Sequence, residues 1–166
     1  MSKNFKVLFL GDVVGRPGRE IAKSYIDTVK ANFDLVIVNV ENASHGFGLT
    51  QKNHDELINC GVNFMTSGNH IWDKKDIYNY IETSPALIRP LNYPKSVKWG
   101  VGYRIYDDKI VIVNLLGRTF MQSVDSPFEA LEELVNNLGK DKLYIIDYHA
   151  EATAEKVIDF IEGLLA

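Results

Sequence analysis

The stretch DLVIVNVEN, Asp34–Asn42, decides the fold. Its middle is an unbroken apolar run, which is typical of a strand covered on both faces, as strands of parallel sheets are. Two polar residues, Glu41 and Asn42, follow the run at once. Ligands of open α/β sheets bind beyond the carboxyl ends of the strands, so strand exits of this kind are where we expect the functional site.

The rest of the chain alternates short apolar runs with amphipathic stretches. This alternation predicts an α/β fold in which a mostly parallel sheet is flanked by helices. Helices are predicted over 17–33, over 50–61 with Thr50 as its cap and Gly61 as its end, over 73–83 with Asp73 as its cap, over 126–139 with Ser126 as its cap, and over the last residues, 151–166. His54, in the middle of the second of these helices, is predicted to be a solvated or packing residue and not a ligand. A hairpin is predicted to turn at 107–108. The residues predicted on the inner face of the first helix, by their 3.6-residue spacing, are Ile21, Tyr25, Ile26 and Val29.

Length, composition and charge predict one cytoplasmic domain covering 1–166. The chain has 166 residues, of which 46% are hydrophobic and 24% charged, enough for a sizeable core. A net charge of -4 without a basic stripe argues against binding of duplex nucleic acid. The apolar runs are too short to span a membrane or to form a signal peptide. The single cysteine, Cys60, excludes an internal disulfide and fits a reducing compartment.

Polar side chains follow several of the predicted strands, and parallel strands would bring them to one edge. Two carboxylates, two amides and two imidazoles in one place are costly unless a cation lies among them. Oxygen and imidazole ligands without a thiolate suit manganese, iron or zinc. Singly, each residue has a structural alternative, such as a turn cap for Asp12, a turn residue for Asn42 or a core position for His149. The set consists of Asp12, Glu41, Asn42, Asn69, His70 and His149. His45, in a loop flanked by glycine, is a weaker candidate that could line a substrate pocket.

Five segments carry a resemblance to a known family: FLGDVVGRPGR, NVENASHGFGLT, TSGNHIWDKK, IVNLLGR and DYHAEATAEK. In this order, and over nearly the whole chain to about Lys156, they resemble the bacterial YmdB-type family of calcineurin-like metallophosphoesterases. The resemblance implies the N-terminal part of an αββα sandwich. It also implies hydrolysis of phosphodiesters, including 2′,3′-cyclic nucleotides, or of phosphomonoesters, so the expected partner is a small phosphoester or cyclic nucleotide.

The resemblance further implies a site for two divalent metal ions, with iron or manganese expected and zinc as the alternative. The implied ligands are Asp12 and Asn42 at the first metal, Glu41 between the two, and Asn69 and His149 at the second. A hydroxide activated by the two metals would attack phosphorus, and His70 would be the general acid that protonates the leaving oxygen.

This chain departs from the family pattern in one respect. Family members continue into a Gly-Thr-His-Thr-His motif, whose two histidines complete the metal shells, and that motif does not occur here. The chain is therefore expected to be C-terminally truncated relative to the family, with weak or partial metal binding, impaired activity and a tendency to form a homo-oligomer. The alternative is a non-catalytic truncated or redesigned scaffold with a vestigial metal or phosphate site.

Overall fold

The computed structural model describes residues 4–157, and the chain divides into two compact units, Met1–Leu87 and Ile88–Ala166. In the described residues each unit contains one three-stranded sheet. Three of the four strand pairs formed there are parallel, and helices accompany both sheets. The predicted α/β class with mostly parallel strands and flanking helices is thus confirmed. That residues 1–166 behave as one domain stays a prediction.

The first unit is a parallel sheet with strand β2 in the middle. Its strands are β1 (Val7–Leu10), β2 (Leu35–Asn39) and β3 (Phe64–Thr66), in the spatial order β1-β2-β3. The chain passes from β1 to β2 through helix α1 (Gly15–Val29) and from β2 to β3 through helix α2 (Gln51–Cys60). All residues of β2 are buried, as its apolar sequence predicts.

Helix α1 buries a face that differs in part from the predicted one. Ile26 is fully buried and Val29 half-buried, as expected, but Ile21 is 71% exposed and Tyr25 is 47% exposed, so their prediction as inner residues was wrong. The buried stripe runs through Ala22 and Ile26, and Ile21 and Tyr25, each one position earlier, are turned away from it by about 100°. The predicted homo-oligomer stays a prediction. An apolar groove on the outer face of the helix is lined by Phe9, Val14, Ile21 and Tyr25.

Helix α2 begins and ends at the predicted residues. The Thr50 side chain accepts a hydrogen bond from Asn53 N at 3.4 Å, and Gly61 ends the helix with a φ of 107°. His54, predicted to be a solvated or packing residue and not a ligand, is buried, and its Nε2 lies 2.8 Å from Ser84 Oγ. The histidine therefore joins α2 to the segment that ends the first unit.

The predicted helix over 73–83 was wrong. The chain forms two short 3-10 segments instead, Asn69–Trp72 and Lys75–Asn79. The carboxylate of Asp73 is paired with His70, so it does not cap a following helix.

The second unit is a mixed sheet covered by one long helix. The chain turns between the first two strands at Asp107 and Asp108, whose φ values of 50° and 55° are those of the predicted tight hairpin. The first pair of strands is antiparallel and the second pair parallel. The elements are β4 (Tyr103–Tyr106), β5 (Ile110–Leu116), α3 (Pro127–Leu138) and β6 (Leu143–His149), with the strands in the order β4-β5-β6.

The core of the second unit lies between β5 and α3. Val111, Val113 and Leu115 share one face of β5 by their period of two, and they pack with Leu134 of α3. The Ser126 side chain caps α3, as predicted. Of the predicted closing helix over 151–166, residues 153–157 are helical, residues 151–152 are not, and residues 158–166 lie outside the described residues. Of the helices described, none combines the length and apolar character needed to cross a membrane.

We predict that Gly102→Ala destabilises the second unit. A Cβ at this position would overlap Leu91 Cα and lie 2.6 Å from Leu91 Cδ1, so the backbone must shift. Overpacking of this kind costs about 1–3 kcal/mol, which denaturant unfolding would measure. Gly11→Ala is the matched control, because a Cβ there meets no atom within 4 Å. Equal unfolding midpoints for the two variants would contradict the prediction.

Candidate functional site

Three of the predicted site residues form a hydrogen-bonded cluster in the first unit. Asn42 Nδ2 donates to Asp12 Oδ1 at 2.9 Å and to Glu41 Oε1 at 3.0 Å. Glu41 is only 1% exposed, whereas Asp12 lies at the surface. The amide thus stands between two carboxylates that would otherwise repel each other.

The loop that carries Glu41 and Asn42 is fixed by contacts with α1. Gly15 N donates to Asn42 O at 2.9 Å, and the guanidinium of Arg19 donates to Ala43 O. Gly15 has a φ of 58°, a conformation that glycine adopts without strain and that turns the chain from β1 into α1. The sequence GDVVGRPGR therefore positions Asp12 and at the same time anchors the neighbouring loop.

His70 follows β3 and is held by an aspartate. Its Nδ1 lies 2.8 Å from Asp73 Oδ2, and its ring packs against Phe47 with centroids 4.8 Å apart. The carboxylate favours the tautomer with hydrogen on Nδ1, which leaves Nε2 available to a ligand. The His70 side chain is 31% exposed, so a ligand can reach it. The sequence did not reveal Asp73 as a partner of His70, although the two lie three positions apart, the spacing of one 3-10 turn.

The loop over 41–48 and the segment of Asn69 and His70 are direct neighbours. A Cβ on Gly48 would lie only 3.1 Å from His70 O, so glycine is needed for this close approach. Asn69 is half-buried at the start of its 3-10 segment. The first unit thus contains the cluster around Asn42 and, beside its loop, the paired imidazole.

The two remaining histidines of the prediction lie in different units, His45 in the first and His149 in the second. His149 is the last residue of β6, in the second unit, and its carbonyl oxygen accepts a hydrogen bond from Gly117 N at 2.8 Å. His45 is exposed and has a φ of 61°, in the left-handed region. Metal binding by His149 and pocket lining by His45 both stay predictions.

The donor set of the cluster fits a hard cation. Asn42 Oδ1 is buried and has no hydrogen-bond partner among residues 4–157. A buried acceptor of this kind costs about 1–3 kcal/mol when it is left unsatisfied, and amide and carboxylate oxygens together suit ions such as manganese. No three His, Cys, Asp or Glu side chains are grouped to hold a metal within either unit, as far as it is described. A metal bound in the first unit would therefore depend on amide oxygens.

Comparison with known proteins identifies the family of the chain. Residues 8–161 match the model of the YmdB-like protein family, and the chain belongs to this family. Over 157 residues it is 43% identical to a 2′,3′-cyclic-nucleotide 2′-phosphodiesterase of Bacillus subtilis, with 92% of this chain and 60% of the relative covered. The chain therefore spans about 60% of the length of that curated relative.

Solved structures agree with this assignment. A crystal structure described as a novel phosphatase, from Mycoplasma pneumoniae, superposes with a TM-score of 0.88 at 38% identity, covering 97% of this chain and 60% of that one. The structure of a hypothetical protein from Thermus thermophilus superposes with a TM-score of 0.86 at 37% identity, covering 93% of this chain and 61% of that one. The predicted resemblance to the family is confirmed.

We predict that Asp73→Ala changes the tautomer of His70. Without the carboxylate, hydrogen is no longer favoured on Nδ1, and the Nε2–H form, which predominates in free imidazole side chains, should increase. Nitrogen-15 NMR of the imidazole measures this ratio. Asp55→Ala is the matched control, because Asp55 Oδ1 lies 2.8 Å from His54 Nδ1 in the same way. An unchanged His70 spectrum in Asp73→Ala would refute the pairing. The same change of the His70 spectrum in Asp73→Ala and in Asp55→Ala would also refute it.

Proposed function

We propose that this chain is a metal-dependent phosphoesterase whose substrates are small phosphodiesters such as 2′,3′-cyclic nucleotides. The observation that carries the proposal is the cluster of Asp12, Asn42 and Glu41 with its buried, unsatisfied amide oxygen. It is supported by the identity of 43% with a protein named as a cyclic-nucleotide phosphodiesterase. The net charge of -4 also favours a small substrate over duplex nucleic acid.

The residues proposed to hold the metal supply mainly oxygen ligands. Bound divalent ions, with iron or manganese expected, would neutralise phosphoryl charge and lower the pKa of a water molecule near phosphorus. Glu41 is the carboxylate proposed to serve both ions, because it is the buried one and lies beside Asn42. The full proposed set is Asp12, Glu41, Asn42, Asn69 and His149.

His70 is proposed to move the proton that completes the reaction. In a 2′,3′-cyclic phosphate, breaking one P–O bond leaves a negative charge on a ribose oxygen. An imidazolium Nε2–H would donate its proton to that oxygen as the bond breaks, which avoids an unstable alkoxide. Asp73 would serve as a positioning residue, since its contact with Nδ1 fixes the direction in which Nε2 points.

We predict that metal binding and turnover separate between two variants. Glu41→Gln keeps the shape of the side chain but removes its charge, and it should weaken Mn²⁺ binding by at least about 10-fold. His70→Ala should leave the Mn²⁺ affinity unchanged and lower kcat on 2′,3′-cyclic AMP by about 10²–10⁴-fold. Calorimetric titration with Mn²⁺ and a hydrolysis assay give the two quantities.

The control is Glu20→Gln, which makes the same chemical change on the exposed face of α1, where Glu20 pairs with Arg16. It should behave as the wild type in both assays. Equal loss of metal in Glu41→Gln and His70→Ala would mean that His70 binds metal. If the wild type saturated with Mn²⁺ hydrolyses no phosphodiester, the non-catalytic alternative is correct.

A further inference from the structure

The loop after β5 presents an aromatic side chain to solvent in a strained backbone conformation. Phe120 is 91% exposed and has a φ of 63°, in the left-handed region that bulky side chains rarely adopt. The exposed ring gains little from packing, so the fold has no evident stability reason to hold it there. Strained residues of this kind are concentrated at ligand sites, where the surrounding structure fixes them.

The loop that carries Phe120 is held in place by hydrogen bonds and by close packing of its backbone. The Glu155 carboxylate accepts hydrogen bonds from Arg118 N at 2.9 Å and from Thr119 N at 3.2 Å. A Cβ on Gly117 would lie 2.7 Å from both Ala150 Cβ and Glu155 Oε2, so the backbone passes as close to its neighbours as glycine permits. The loop is thus held by a residue far along the chain, and the ring is presented in a defined place.

The position of the loop connects it with His149 of the same unit, since Gly117 N donates to His149 O. It leaves the carboxyl end of β5, where Leu116 is in register with His149 of β6. His149 is a proposed metal ligand, and ligands of α/β sheets lie beyond these strand ends. The loop also carries the exposed cation Arg118, two residues before the ring. An aromatic face with a neighbouring arginine is the combination that binds unstacked nucleobases and their phosphates.

We propose that Phe120 is the platform on which the nucleobase of the substrate stacks, with Arg118 as the adjacent cation. The inference rests on the proposed function and deepens it, because it names the side chains that would hold the base of a nucleotide substrate. Every base has a π face, so the platform favours nucleotides over esters without a base but selects no particular base.

The test compares two cyclic esters that differ in the base. The full chain with Mn²⁺ is assayed on 2′,3′-cyclic AMP and on glycerol 1,2-cyclic phosphate, which has the same five-membered ring and no base. Phe120→Ala should lower kcat/KM on the nucleotide by about 5- to 150-fold and leave the glycerol ester unchanged. Phe120→Trp should retain the preference. Phe5→Ala, which removes another exposed phenyl ring, is the control.

A binding measurement separates this inference from the proposed function. Affinities for AMP and for ribose 5-phosphate are measured by calorimetry, and Phe120→Ala should weaken only the first. A protein that hydrolyses nothing but shows this difference would overturn the proposed function and support the platform. Hydrolysis with unchanged preference in Phe120→Ala, or equal loss on both esters, would overturn the platform. A change in the sedimentation coefficient of Phe120→Ala, with unchanged preference for the nucleotide ester, would also overturn it, because the ring would then contact protein and not the base.

Discussion

Strand β2 is paired in parallel along both edges, and all its residues are buried. Because β1, β2 and β3 are parallel, their carboxyl ends lie at the same end of the sheet. The segments that follow these strands, with Asp12, Glu41 and Asn69, therefore become neighbours. Backbone groups at this edge satisfy one another, as when Val40 N donates to Thr66 O at 2.9 Å. Because a buried unpaired backbone group costs about 1–3 kcal/mol, the strand exits are held in place. The geometry of the part of the proposed site that lies in the first unit therefore depends on the pairing of β2.

The buried side chain of Glu41 requires compensating interactions around it. Glu41 is a carboxylate with 1% exposure, and burial of a charge is costly unless hydrogen bonds or a cation compensate it. Asn42 supplies two hydrogen bonds from one amide group, one to each carboxylate. An amide offers partial charges, whereas a metal ion would offer a full charge and would also use the buried Oδ1. His54 and His70 each contact an aspartate through Nδ1, but the two rings differ in whether a ligand can reach them. His54 is closed off by Ser84, while His70 stays accessible.

The sequence by itself determined the features that depend on residues close together in the chain. An apolar run without a polar face identified β2 as a buried parallel strand, and Thr50 and Ser126 were identified as helix caps because they bond to amides three residues ahead. The hairpin turn at Asp107–Asp108 was likewise predicted from residues close together in the chain. The candidate site residues could be named because each follows an apolar run directly, and because the motifs resembled a known family.

Only the tertiary structure decided how these elements meet. It divided the strands between two sheets, turned Ile21 and Tyr25 outward, and gave Asp73 the imidazole of His70 as its partner in place of a helix cap. It also showed that the ring of Phe120 is exposed. The physical reason is the distance along the sequence between the residues that determine each feature. Apolar spacing and caps report backbone preferences over a few residues, whereas the buried face of a helix, the partner of a carboxylate and the exposure of a ring depend on contacts with residues distant in sequence.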